Sequence, residues 1–316
     1  MSSQAQEPKL YALLIGINCY FKNELYNNLQ GAVNDINSIE NFLKERLHIT
    51  DERIWKLTSS NPNPHLRQPQ ESPEKLPTYK NIVENFNQVT DTAQIGDLIL
   101  VYYSGHGGRS ITQYTEIKGD RGIDESIAPV DIGKVDESGK PIGQYLLDVE
   151  ITTLLKRMVD KGLVVTMVFD SCHSGGATRG TAQIRGGRNI NNTPRPVESL
   201  VASRQELIDN WSIMTNGGTK GLSSSFIPNS NDYVLLAACR PTEKALEDIL
   251  EPATKKRQGV LTYWLLESFE QGFADLTYRD LHDRVSAKVS SQHFMQNPVL
   301  VGQGERQVFA SNLVKV

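Results

Sequence analysis

Two short polar turns, each closing an apolar run, hold the residues best suited to covalent chemistry. One is YYSGHGG, with His106; the other is VFDSCHSGG, with Cys172. A thiol attacks as its thiolate, and an isolated one ionises only near pH ~8.5. An imidazole beside it can take the proton, hold the ion pair and return the proton to a leaving amine. Gly105, Gly107 and Gly108 let the backbone turn sharply and expose the imidazole, and Gly175 and Gly176 allow a substrate to approach. The N–H groups of Gly107 and Cys172 are the candidates for an oxyanion hole. Taken singly, a cysteine at a strand end is more often a small buried hydrophobe, and a lone histidine a surface or satisfied core residue. Two strand ends with glycine turns together favour a nucleophile and its base. Cys19 and Cys239 lack that flanking pattern and read as structural. His173, next to the nucleophile, should point away from it and reads as scaffold.

The elements that must position this pair follow from periodicity. LYALLIGI (residues 10–17), RIWKLT (53–58), DLILVYYS (97–104), LVVTMVFD (163–170) and DYVLLAAC (232–239) are short, nearly continuous apolar runs, as expected of strands buried on both faces. Helical spacing is predicted over 32–47, from a Thr78 cap to Thr92, over LDVEITTLLKRMV, and near 260–271 and 278–290. A last strand is expected near 298–301. Residues 59–77, with five prolines, and 109–146 read as loops, the second with a hairpin. Residues 177–230 read as a linker holding a short helix over 197–210. Strands alternating with helices imply a mostly parallel sheet covered on both sides, with ligands gathering at the carboxyl ends of its strands.

Composition narrows the class. The chain has 316 residues, 38% hydrophobic and 22% charged, with a formal charge of −4. That suits one large α/β domain and gives no global reason to expect nucleic acid or an anionic membrane. MSSQAQEPKL has no basic segment followed by an apolar run, and no stretch approaches the ~20 apolar residues of a membrane helix. Three cysteines without metal-ligand spacing fit free thiols in a reducing, cytoplasmic setting.

YYSGHGG and VFDSCHSGG, in this order and each closing a buried strand, resemble the caspase-like clan, and within it the metacaspases and orthocaspases. LYALLIGIN, LQGAVNDINSIENFL, DYVLLAAC and GVLTYWLLESF extend the resemblance over nearly the whole chain. It implies a three-layer α/β/α sandwich with about six strands and a His106–Cys172 dyad. It also implies a large-subunit region over about 8–176, a linker over 177–230, a small-subunit region over 231–310, and a monomer. Asp170 stands where caspases carry Gln, so a basic P1 side chain is expected rather than Asp. By resemblance, Asp35 and Ser104 complete that S1 pocket; from spacing alone, Asp35 could equally be a helix-surface charge and Asp170 a loop cap.

Arg179, Arg185, Arg188, Arg195 and Arg204 dot the linker, which makes it a candidate for self-cleavage, Arg179, Arg185 and Arg188 foremost; an ordinary solvated basic loop is the alternative. Calcium is implied for many metacaspases. Here Asp148 has Leu147 where the family has a second acid, Arg179 stands where some relatives have another, and only Asp120 and Asp124 could add to the set. The expectation is therefore that no cofactor is required. The function expected is a cysteine endopeptidase acting on peptides with Arg or Lys at P1. The alternatives are a non-catalytic caspase-like scaffold and a protease of different P1 preference. A zinc hydrolase is disfavoured because no CxxC or HExxH occurs.

Overall fold

The structure is a computed structural model and describes residues 7–21, 23–63, 68–140, 142–173, 182–187, 190, 198–215, 227–293 and 295–310. In chain order the elements are β1 (Leu10–Ile17), α1 (Ala32–Leu47), β2 (Ile54–Ser59), α2 (Tyr79–Thr92), β3 (Leu98–Ser104), β4 (Gly107–Ile111), α3 (Thr115–Lys118), β5 (Ile123–Ile127), β6 (Leu146–Leu147), α4 (Asp148–Asp160) and β7 (Val164–Asp170). There follow β8 (Gln183–Ile184), α5 (Arg204–Met214), β9 (Tyr233–Ala237), β10 (Leu246–Glu251), β11 (Lys256–Gly259), α6 (Val260–Glu270), α7 (Tyr278–Gln292) and β12 (Val299–Gly302).

Six strands form one sheet in the order β12-β9-β7-β3-β1-β2, parallel except at the β12 edge. The apolar runs read as they do because both faces are covered. Leu13, Ile15, Val101 and Met167 face a core built with α2, α4 and α5. Ala12, Leu14, Leu100 and Val168, one residue out of phase, face a second core built with α1, α6 and α7. Each fully buried aliphatic side chain contributes roughly 1.5–3 kcal/mol, so the two cores fix the strand register on which the site depends.

β3 and β7 are neighbours, with Ser104 opposite Asp170. The turns after these two strands, carrying His106 and Cys172, therefore leave the same edge of the sheet.

Two departures from the sequence expectation matter. The linker helix runs over Arg204–Met214 rather than 197–210. Ser203 caps it by accepting the Glu206 amide, and Leu207, Trp211 and Met214 supply its buried face. The β10–β11 hairpin was not anticipated, because its charged residues (Glu247, Asp248, Glu251, Lys256, Arg257) hide any apolar period. It pairs with β8, with Leu246 opposite Ile184 and Glu247 opposite Gln183.

Candidate active site

The turn after β3 places His106 in an aromatic box. Its ring packs 4.9 Å from Tyr26 and 5.1 Å from Tyr20, centroid to centroid. Its backbone N–H donates to the Tyr20 hydroxyl at 2.8 Å, and its carbonyl accepts the Tyr103 hydroxyl at 2.6 Å. The ring Nε2 lies 2.8 Å from the Asn27 carbonyl. A carbonyl can only accept, so Nε2 carries the proton and Nδ1 is the basic nitrogen. Burial pushes the imidazole down to about 4, opposed by the hydrogen bond to Asn27. His106 is 2% exposed, which departs from the exposed imidazole expected of a glycine turn. The glycines serve close approach instead. A Cβ on Gly107 would lie 2.3 Å from the Cys172 carbonyl oxygen and 2.9 Å from His173 Nδ1.

The side chain of Cys172 is buried as well, because a segment of the chain lies across it. The Arg185 carbonyl accepts the Cys172 N–H at 3.0 Å and the Gly107 N–H at 3.2 Å. These are the two donors expected of an oxyanion hole, and they converge on one carbonyl oxygen. The segment is held on both sides: Arg185 N–H donates to Ala245 O at 3.0 Å and Gly187 N–H to Gly107 O at 3.1 Å. Residues 183–184 form the short β8 strand against β10.

The Arg185 side chain enters a closed acid pocket. Its Nη2 lies 2.7 Å from Asp35 Oδ2 and 3.3 Å from Glu247 Oε2, and its Nη1 lies 3.2 Å from Asp170 Oδ1. Nη1 also donates to Ser104 Oγ at 2.8 Å, and that hydroxyl in turn donates to Asp35 Oδ2 at 2.8 Å. All four side chains that contact the guanidinium are fully buried. Each acid is held from behind. Gly259 N–H donates to Asp35, Thr262 donates through both N–H and hydroxyl to Asp170, and the Gln30 and Gly31 amides donate to Glu247. Burial pushes Asp35 up to about 7, against the pull of the Arg185 charge and with the push of Asp170. Burial also works against the guanidinium, but the three carboxylates outweigh it and raise its pKa.

Two residues here escaped the sequence reading. Glu247 sits on the unanticipated hairpin and nothing in its local sequence marks it. Cys239, read as structural, shares a buried cluster with Cys172. Its thiol donates to the Ser171 carbonyl at 3.9 Å, and the neighbouring Cys172 sulfur, together with burial, holds it well above the usual thiol range. Register offers the missed signal: β7 and β9 are adjacent, so the residues just past their ends meet. His173 Nδ1 lies 3.2 Å from Ser126 O. Arg204 is in α5 and pairs with Glu116 at 2.8 Å. Gly175, Gly176, Arg179, Arg188 and Arg195 lie outside the described residues.

The family model for the metacaspase, peptidase C14 domain matches residues 11–179, more than half the chain and inclusive of both turns. The chain belongs to the metacaspase family. Among relatives, it is 35% identical over 166 residues to Metacaspase-1 of Meyerozyma guilliermondii (52% of this chain, 35% of the relative). It is 34% identical over 168 residues to Metacaspase-1B of Aspergillus terreus (52% and 38%). Against Metacaspase-1 of Mycosarcoma maydis it is 27% identical over 314 residues, covering 94% of this chain and 71% of the relative. The chain thus spans little more than a third of the first two. A crystal structure of a Geobacter sulfurreducens protein superposes with a TM-score of 0.57 at 17% identity, covering 98% of this chain and all of that one, and shows the shared fold. Among the described residues no helix is long and apolar enough to cross a membrane.

The acids considered for a metacaspase calcium site do not fit a divalent cation. Asp124 and Asp148 do converge, but on the ammonium of Lys118, 2.6 and 2.5 Å away. Asp120 is exposed, and no group of three or more His, Cys, Asp or Glu side chains is gathered for a metal among the described residues.

Proposed function

We propose that this metacaspase domain is a cysteine endopeptidase that cleaves after Arg, and less well after Lys, and that its first substrate is its own Arg185–Gly186 bond. The observation that carries the reading is the seating of Arg185, with its guanidinium among three carboxylates and its carbonyl between two oxyanion-type donors. Two nitrogens of the fork meet separate acids, whereas a lysine ammonium is a single point of charge.

In the reaction, His106 Nδ1 takes the Cys172 proton and the thiolate adds to the carbonyl carbon of the P1 residue. The N–H groups of Gly107 and Cys172 hold the developing oxyanion. The imidazolium returns the proton to the departing amine as the C–N bond breaks. Water then hydrolyses the thioester and restores the thiol. In the uncut chain, residues 183–187 fill the cleft, so cleavage in cis precedes cleavage of other proteins.

Hydrolysis of short fluorogenic peptides ending in Arg, Lys or Asp, beside a Cys172→Ala control, tests this. Cleavage is expected for Arg above Lys, none for Asp, and none with the control. Turnover of the Asp peptide, or equal signal from Cys172→Ala, would remove the reading.

A further inference from the structure

Away from the cleft, the chain buries one ammonium between two carboxylates. The Lys118, Asp124 and Asp148 side chains are 3%, 1% and 0% exposed. Burial disfavours a charged lysine, yet the two acids more than offset it and raise its pKa, so the ammonium keeps its charge. Its Nζ also reaches the Ile123 carbonyl at 3.5 Å and lies 4.7 Å from the centre of the Trp211 ring.

This one charge joins four elements. Lys118 ends α3, Asp124 belongs to β5, Asp148 begins α4 and Trp211 belongs to α5. Asp124 Oδ1 also accepts the Thr112 hydroxyl at 2.8 Å, and Asp148 Oδ2 the Glu125 N–H at 3.3 Å. β5 leads to the catalytic turns: Ile127 lies opposite Gly107, Ala128 N–H donates to the His106 carbonyl, and Ser126 O meets His173. The oxygens around the ammonium, two carboxylates and a carbonyl, are those a hard divalent cation takes. Here their centre is filled by a tethered side chain.

We infer that Lys118 is a built-in cation, standing where a divalent ion would otherwise be needed to hold α4 and α5 against β5. Removing it uncovers a calcium site made by Asp124, Asp148 and the Ile123 carbonyl. Lys118 is a positioning residue, and the inference does not depend on how the cleft is read.

Thermal unfolding of the full chain tests it, in a Cys172→Ala background, in chelator and in millimolar calcium. The parent is expected to melt at the same temperature in both. Lys118→Ala is expected to melt lower in chelator and to regain at least about 5 °C with calcium. Adding Asp148→Asn should abolish the gain. Terbium in place of calcium should show emission sensitised by Trp211 in Lys118→Ala, absent from the parent and from the double variant. A parent stabilised by calcium would overturn the inference. So would a Lys118→Ala chain that calcium does not stabilise, or one that stays unfolded with and without it.

Discussion

The carbonyl oxygen of Arg185 accepts the backbone N–H of Cys172 at 3.0 Å, while the Arg185 guanidinium is enclosed by Asp35, Asp170 and Glu247. One residue therefore places its guanidinium among three acids and its carbonyl on the N–H groups of Cys172 and Gly107, the donors proposed for an oxyanion. Arg185→Gln should stop cleavage at this bond, and Arg185→Lys should slow it by roughly 10-fold or more, since the fork loses one of its two ends. Electrophoresis of freshly purified variants over time measures both rates.

Glu247 meets Nη2 at 3.3 Å and is held by the Gln30 and Gly31 amides. Glu247→Gln keeps the shape and removes the charge. A hydrogen bond to a charged group is worth about 1.5–3 kcal/mol, so kcat/KM for an Arg peptide should fall about 10- to 100-fold, with KM rising. Steady-state kinetics on the Arg and Lys peptides would show whether the preference for Arg narrows, as expected.

Cys239 should remain a thiol where Cys172 ionises, because the neighbouring Cys172 sulfur and burial both hold its pKa high, its S–H donating to the Ser171 carbonyl. Turned from that carbonyl, the S–H can donate to a Cys172 thiolate and so favour it. Cys239→Ala should therefore shift the acid limb of kcat/KM upward. The rate of iodoacetamide alkylation against pH, in an Arg185→Gln chain, gives the same shift without turnover.

His106 and Asp35 pull acid stability in opposite directions. The imidazole is pushed down from 6.5 to about 4 by burial. Its stabilising effect is complete above pH 6.5 and is lost as pH falls toward 4, on the order of 3 kcal/mol in all. Asp35, raised from 3.8 to about 7, binds its proton more tightly when folded, so its cost grows as pH rises through the same window. In a Cys172→Ala background, His106→Gln should remove the first effect alone. Between pH 7 and 4.5 the variant should lose less stability than its parent in urea unfolding.

The sheet was legible because its strands are buried on both faces, which leaves continuous apolar runs such as LVVTMVFD. Both turns were legible because glycine, thiol and imidazole stand together at strand ends. The hairpin carrying Glu247 was not, since its residues are charged and its role is to pair with β8, a contact between distant parts of the chain. Cys239 was hidden for a related reason: what brings it to Cys172 is the adjacency of β7 and β9, not its neighbours in sequence. Lys118 carries no local sign either, because two acids from β5 and α4 define its place.

The claim that Arg185 is seated as a substrate is tested most directly by intact-mass analysis of the purified wild-type chain beside Cys172→Ala. The expected result is two wild-type fragments ending at Arg185 and beginning at Gly186, and one full-length mass for Cys172→Ala. A single full-length mass for both would contradict it.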